Sequence, residues 1–318
     1  MSLDQRPLAI VLMGPTASGK TALACSLVDR FPIGLISVDS ALVYRGLDIG
    51  TAKPDAETLD RYPHALVDIR EPVEAYSAAE FRTDALAEMQ LMSDAGKFPL
   101  LVGGTGLYFR ALERGLSDLP PSNPEVRAVI SAEADRIGWP AMHARLAERD
   151  PAAASRIRAS DPQRIQRALE VIEMTGKRLS DQQGQRRPRP AWRFLKLALM
   201  VDGRSVLHER IAQRFDAMLD AGFLDEVRGL RERGDLHADL PAIRAVGYRQ
   251  AWEFLDGAVD ADTFRYRAIA ATRQLAKRQI TWIRSELDAR CFDADDAGTR
   301  RRITEAVAEF IGNASASA

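Results

Sequence analysis

Apolar residues run without interruption from Leu8 to Met13, and the run stops at Gly14. Six consecutive apolar positions closed by a glycine-rich turn predict a strand buried on both faces rather than one with a solvated side. From Thr21 to about Arg30 the apolar spacing becomes helical, with Leu23, Leu27 and Val28 on one side. Gly34 to Val38 and Pro99 to Val102 repeat the buried-strand pattern, ending at Asp39-Ser40 and at Gly103-Gly104-Thr105-Gly106. Between these two strands, Tyr76 to Met92 predicts a helix in which Ser77 is the N-cap and Glu80, three residues on, completes a capping box. Buried strands alternating with helices predict a parallel sheet covered on both faces.

The pattern changes after Leu116. Proline-containing turns (119 to 124) give way to helices rich in Ala and Arg, with no strand signal until Trp192 to Val201. This predicts a mainly helical insertion at 119–191 in an α/β core formed by 1–118 and 192–318. Gln182 to Pro190, with no apolar period and two prolines, is the expected link back to the core. Helices are then expected at Ser205 to Leu219, at Asp225 to Arg233 and within Asp262 to Leu287, with a frayed tail from Ala314 to Ala318.

A chain of 318 residues that is 46% hydrophobic and 28% charged can build a sizeable core and is neither disordered nor fibrous. Its two cysteines, Cys25 and Cys291, are far apart and lack ligand spacing, so neither a disulfide framework nor a zinc site is predicted. Leu8 to Met13 is too short to cross a bilayer. A cytoplasmic, membrane-free monomer is expected. The net charge of −1 conceals local excesses: ten basic against four acidic residues from Arg156 to Arg193, and seven against two from Phe264 to Arg290. Such windows are either solvated helix faces or the footprint of a polyanion.

The strongest single motif is Gly14-Pro15-Thr16-Ala17-Ser18-Gly19-Lys20-Thr21, lying between a strand and a helix. In that context the glycines let backbone N–H groups close on phosphate oxygens, Lys20 adds a point charge, and the Thr21 hydroxyl can ligate Mg²⁺. The expected fold class is therefore α/β, a P-loop NTPase-like parallel sheet flanked by helices, with a mainly helical insertion domain. Asp39 ends a strand beside the loop, where reactive crevices open in such sheets. Its carboxylate can ligate metal, accept a proton from a nucleophile, or merely cap a turn. Thr105 can aim a hydroxyl at developing charge or only shape its turn.

Seven segments together resemble the tRNA dimethylallyltransferase (tRNA isopentenyltransferase) family of bacterial type. They are residues 14–21, 37–45, 48–54, 63–69, 161–170, 242–250 and 272–284, in family order from residue 8 to about 290. One departure is Gly106, a position that many bacterial members fill with Met. The resemblance implies transfer of a dimethylallyl group from dimethylallyl diphosphate to N6 of the adenosine immediately 3′ of the tRNA anticodon, with release of diphosphate. It implies that Gly14 to Thr21 and Arg214 hold the diphosphate, with Mg²⁺ on Thr21. Asp39, Thr105 and Lys20 are then the catalytic residues, and His64 lies near the site or simply packs in a turn.

The same resemblance implies a tRNA surface around the anticodon stem-loop. It comprises Asp39, Ser40, Ala41, Leu42 and Thr105; Arg127; Gln163, Arg164, Ile165, Gln166 and Arg167; Arg244, Gly247, Tyr248 and Arg249; and Lys277, Arg278, Gln279, Ile280, Thr281, Trp282, Ile283 and Arg284. Tyr248 and Trp282 are candidates to stack on bases. A small-molecule or nucleotide kinase is the alternative, since it would share the loop and the sheet, but it offers no reason for an arginine-rich insertion plus a second basic helix. A P-loop module that binds nucleotide without chemistry would have no need of Asp39.

Overall fold

The computed structural model describes residues 6–117, 119–183 and 191–315. The chain divides into two compact units, one formed by Met1–Leu112 with Ala191–Ala318 and the other by Glu113–Pro190.

The first unit begins β1 (Leu8–Met13), α1 (Lys20–Val28), β2 (Ile33–Val38), α2 (Ala56–Arg61), β3 (His64–Ala65), α3 (Ala78–Asp94), β4 (Phe98–Gly103) and α4 (Gly106–Arg114), the last running past the division. The second unit holds α5 (Pro124–Ile137), α6 (Trp139–Arg149), α7 (Pro151–Ala154), α8 (Pro162–Thr175) and α9 (Leu179–Gln182). The first unit resumes with β5 (Arg193–Met200), α10 (Arg204–Asp220), α11 (Phe223–Glu232), α12 (Tyr248–Leu255), α13 (Ala261–Ile283), β6 (Arg290–Asp293) and α14 (Thr299–Ser315).

Six parallel strands lie in the order β3-β2-β4-β1-β5-β6, so β4 separates β2 from β1, and the strand that leads into Asp39 does not adjoin the phosphate-loop strand, contrary to expectation. Strand β1 is buried along its whole length, and its alternation divides the core. Ala9, Val11 and Met13 join the cluster containing Phe81, Leu207, Phe215 and Ala276, whereas Ile10 and Leu12 join Leu23, Leu27, Ile303 and Val307. Registers of Met13 and of Val38 with Gly103 align the ends of β1, β2 and β4, so the segments starting at Gly14, Asp39 and Gly104 emerge along one edge. The expected capping box is present: the Ser77 hydroxyl accepts from Glu80 N, and the Glu80 carboxylate accepts from Ser77 N.

Six elements have no counterpart in the sequence-based expectation: helices α2, α4, α12 and α14 and strands β3 and β6. Strand β3 has only two residues, β6 has the mixed pattern Arg-Cys-Phe-Asp, and α14 begins with three consecutive arginines after Thr299. None of these three carries a continuous apolar run of strand length or an uninterrupted apolar stripe. The expected link at 182–190 and the expected frayed tail fall largely outside the described residues.

The second unit packs Ile130, Met142, Leu146, Ile165, Leu169 and Ile172 into a core of its own. Beside that core lies Glu170, whose side chain is fully buried. It accepts from Asn123 N at 2.7 Å, the Ser122 hydroxyl at 3.0 Å and Arg167 Nη1 at 2.8 Å, and Arg127 Nε lies 3.3 Å away. Burial pushes its pKa up, but Arg167, Asn123 N and Arg127 outweigh that and hold the carboxyl below the usual glutamate range.

Candidate functional site

The phosphate loop leaves β1 at Gly14 and enters α1 at Lys20. Gly19, the N-cap, takes a left-handed conformation (φ 83°). Ala17 also has positive φ (63°), a strained state for a residue with Cβ that is held here by the loop around it. Lys20 Nζ donates to Pro15 O at 3.1 Å, so the ammonium folds back over the loop. Burial brings the Lys20 pKa down to about 8, against the opposing pull of Asp39.

Two distant helices complete the loop. From α10, Arg214 Nη2 donates to the Thr16 hydroxyl at 2.6 Å. Burial lowers the Arg214 pKa, and Asp39 again opposes the shift. From α13, Gln279 accepts from Thr16 N at 2.9 Å through Oε1 and donates to Gly104 O at 3.2 Å through Nε2. One side-chain amide thereby ties the loop after β1 to the loop after β4.

Asp39 follows β2 and is half-buried; its Oδ1 accepts from Ala41 N at 2.9 Å. The Thr105 hydroxyl accepts from Ser40 N at 3.2 Å, and Thr105 N donates to Val38 O, so Thr105 is pinned to the chain on either side of Asp39.

Lys20, Thr21, Asp39 and Arg214 line one cavity of about 1120 Å³, counting the space open to solvent. The same cavity is lined by the apolar side chains of Ile211, Phe215, Met218, Val246 and Leu275, three of them on α10 with Arg214, a lining with no counterpart in the sequence-based expectation. Ser37 and His64 also line the cavity. Ser37 Oγ, His64 Nε2 and the loop's Ser18 Oγ are buried with no hydrogen-bond partner among the described residues. The His64 Nδ1 lies 2.6 Å from Tyr62 O, which can only accept, so Nδ1 carries the proton and Nε2 is a bare acceptor. Burial also lowers the pKa of His64. Unpaired buried polar atoms are costly, and those of Ser37 and His64 line the cavity where a polar ligand can pair with them.

Of the residues expected on a nucleic-acid surface, Ser40, Gln163, Arg164, Arg244, Arg249, Lys277, Arg278, Thr281 and Arg284 are exposed. Ala41, Leu42, Gln166 and Ile280 are partly buried. Several expectations are corrected by burial. Tyr248 is fully buried and its hydroxyl donates to Glu226, so its ring has no open face for a base. Ile165 and Ile283 are core residues, Gly247 is buried, and Gln279 is committed to the phosphate loop. Trp282 stacks on Phe109 with centroids 5.4 Å apart and planes at 8°. Its other neighbour is Gly106, where a Cβ would stand 2.5 Å from the indole, so the small residue makes room for the ring. Arg127 and Arg167 face the buried Glu170, and Arg167 also donates to Pro120 O.

Fold and cavity together define a P-loop-like parallel α/β protein with a cation-lined pocket at the carboxyl ends of its strands. Residues 42–286 match the family model described as IPP transferase. The tRNA dimethylallyltransferase of Stenotrophomonas maltophilia is 57% identical over 319 residues, covering 98% of this chain and 99% of its own. That of Xanthomonas campestris pv. campestris is 56% identical, with 98% and 97% covered. The structure is similar to the tRNA isopentenylpyrophosphate transferase of Bacillus halodurans (TM-score 0.72, 33% identity, 98% of both chains). It is also similar to a eukaryotic dimethylallyltransferase acting on tRNA (TM-score 0.81, 25% identity, 96% of this chain and 80% of that one). The chain belongs to the IPP transferase family.

Proposed function

We propose that this chain transfers the dimethylallyl group of dimethylallyl diphosphate to N6 of the adenosine immediately 3′ of the anticodon in tRNA. The observation that carries the reading is one cavity lined both by Lys20, Thr21, Asp39 and Arg214 and by apolar side chains. A diphosphate needs the cations and loop amides, and a five-carbon hydrocarbon needs the apolar lining of Phe215, Met218, Val246 and Leu275. In the transfer the C1–O bond of the donor breaks, a bond forms between C1 and N6, one N6 proton passes to the Asp39 carboxylate, and diphosphate leaves. Lys20 and Arg214 meet charge that grows on the departing oxygen, so they stabilise the transition state more than the ground state. Thr105, held beside Asp39, orients the amine.

Mg²⁺ fits this donor set through Thr21. No group of three or more His, Cys, Asp or Glu able to hold a metal exists among the described residues. Thr21 is exposed at the start of α1, where its hydroxyl can join diphosphate oxygens and water, the mixed shell that Mg²⁺ favours. When bound, the ion offsets charge on the leaving group.

The target adenine must leave its stack to reach Asp39, with flanking phosphates gripped by basic side chains. Arg164 in the second unit and Lys277, Arg278 and Arg284 on or beside α13 are the exposed candidates. A kinase is not favoured, because the relatives matched over nearly the whole chain are named as dimethylallyl or isopentenyl transferases. Incubating the protein with dimethylallyl diphosphate, Mg²⁺ and an anticodon stem-loop carrying that adenosine should yield RNA heavier by one five-carbon unit, with one diphosphate per transfer. No RNA product, together with phosphoryl transfer from ATP to a small molecule, would overturn the reading.

A further inference from the structure

The loop at 48–54 forms one wall of the donor cavity through Gly50, Thr51, Ala52 and Pro54. Ala52 and Pro54 also line a second hollow, together with Asp48, Ile49 and Asp68. Hydrogen bonds as well as packing set the loop's place.

At its start the loop rests on one carboxylate. Glu226, in the first turn of α11, accepts from Asp48 N at 3.0 Å and Ile49 N at 2.7 Å through Oε2, and from Gly50 N at 3.2 Å through Oε1. Its Oε1 also accepts from the Tyr248 hydroxyl at 2.5 Å. Three successive amides converging on an anion form a nest, here filled by the protein's own side chain. Burial and the Glu226 charge push the Tyr248 phenol well above its usual pKa, so it remains a donor. A Cβ on Gly50 would lie 2.2 Å from the Phe223 ring and 2.7 Å from the Tyr248 ring, which shows how closely the two aromatics hold the backbone.

At the loop's other end Lys53, its side chain almost fully buried, donates to Asp48, Asp68 and Tyr44 O. Between the two anchors Ala52 holds a left-handed φ of 55°, which a residue with Cβ keeps only under constraint. Tyr248 opens α12, directly after Ala245, Val246 and Gly247, which line the same cavity. Glu226 therefore fastens two cavity walls, 50–54 and 245–247, to each other.

We propose that Glu226 is a positioning residue for the transfer reaction, setting the width of the donor cavity by clamping the 48–50 amides to Tyr248. The inference rests on the transferase reading for which substrate fills the cavity, but not for the clamp itself. Glu226→Gln keeps the shape but replaces one accepting oxygen with an N–H₂, so in either orientation of the amide at least one of the 48–50 backbone N–H groups loses its acceptor. Tyr248→Phe keeps the ring against Gly50 and removes only the donor. Misplacement of such a wall by about 1 Å can cost on the order of a hundredfold in rate. Single-turnover transfer should therefore slow by up to about a hundredfold, and affinity measured by calorimetry should fall for dimethylallyl diphosphate and much less for inorganic diphosphate. Stem-loop affinity should hold. That split is what a merely structural role would not produce, since general destabilisation lowers the melting temperature and weakens all three ligands together. If Glu226→Gln does not fold, Tyr248→Phe decides: unchanged preference for the dimethylallyl donor over diphosphate overturns the proposal. A parent protein that prefers the dimethylallyl donor in binding yet transfers nothing to RNA would sink the transferase reading and leave the clamp intact.

Discussion

The side-chain amide of Gln279 accepts the backbone N–H of Thr16 at 2.9 Å, joining the long helix α13 to a phosphate loop 263 positions away in the chain. Because the same amide donates to Gly104 O, Gln279 satisfies polar groups on two loops that a hydrophobic residue would leave bare. Gln279→Leu should cost about 1–3 kcal/mol, the usual consequence of stranding polar backbone groups, here the half-buried Thr16 N and the Gly104 carbonyl. Thermal denaturation should show the loss, and diphosphate titration should show weaker binding, since Thr16 is no longer held. Unchanged melting and unchanged affinity would refute the assignment.

The half-buried Lys20 gives the loop a pH signature. In the unliganded protein its proton is lost near pH 8, below the ordinary lysine value of 10.5. Diphosphate prefers the ammonium, so its affinity should fall as pH rises through about 8, and binding above that pH should take up a proton. The folded state holds this proton less tightly than the unfolded chain does, so the associated penalty on stability is present below about pH 8 and fades as pH rises toward 10.5. Calorimetry in buffers of different ionisation enthalpy reads the proton uptake directly. Lys20→Ala should abolish it, lower turnover, and leave stem-loop affinity nearly unchanged.

Asp39 can be tested without disturbing its turn. The bond from Ala41 N to Oδ1 survives in Asp39→Asn, because the amide oxygen still accepts. Proton acceptance does not survive. General-base assistance supplies roughly 10²- to 10⁴-fold in rate, so single-turnover transfer should slow by that order while diphosphate and stem-loop binding persist. Near-native turnover in the Asn variant would reduce Asp39 to a turn-capping residue.

Much of this arrangement is legible in the order of residues along the chain, and the remainder is hidden for physical reasons. The runs 8–13 and 99–102 mark β1 and β4 because both faces of those strands are covered, and Ser77 with Glu80 marks the start of α3 through local bonds. Strands β3 and β6 are too short and too polar to stand out. Within the segment 277–284, motif matching treats every residue alike, whereas the helix turns Gln279 and Ile283 inward and Lys277, Arg278, Thr281 and Arg284 outward. That period was present in the sequence. Glu226 had no such signal, since its partners lie 176 to 178 positions away and nothing around it distinguishes it from any acidic first-turn residue.

The arginines of the two basic segments should not behave alike. Arg167 is bonded to the fully buried Glu170 and to Pro120 O, so Arg167→Ala weakens the pairing of a buried carboxylate and should destabilise the second unit whatever it does to RNA. Arg278 lies exposed on α13, one position from Gln279 but on the solvent side. If it meets one phosphate of the stem-loop, Arg278→Ala should reduce the slope of log affinity against log salt by about one unit, with melting temperature and donor affinity kept. Binding measured at several salt concentrations for parent, Arg278→Ala and Arg167→Ala, alongside thermal melts, separates the two effects. A parent protein whose stem-loop affinity ignores salt, or an Arg278→Ala variant with the parent's slope, would remove α13 from the RNA surface.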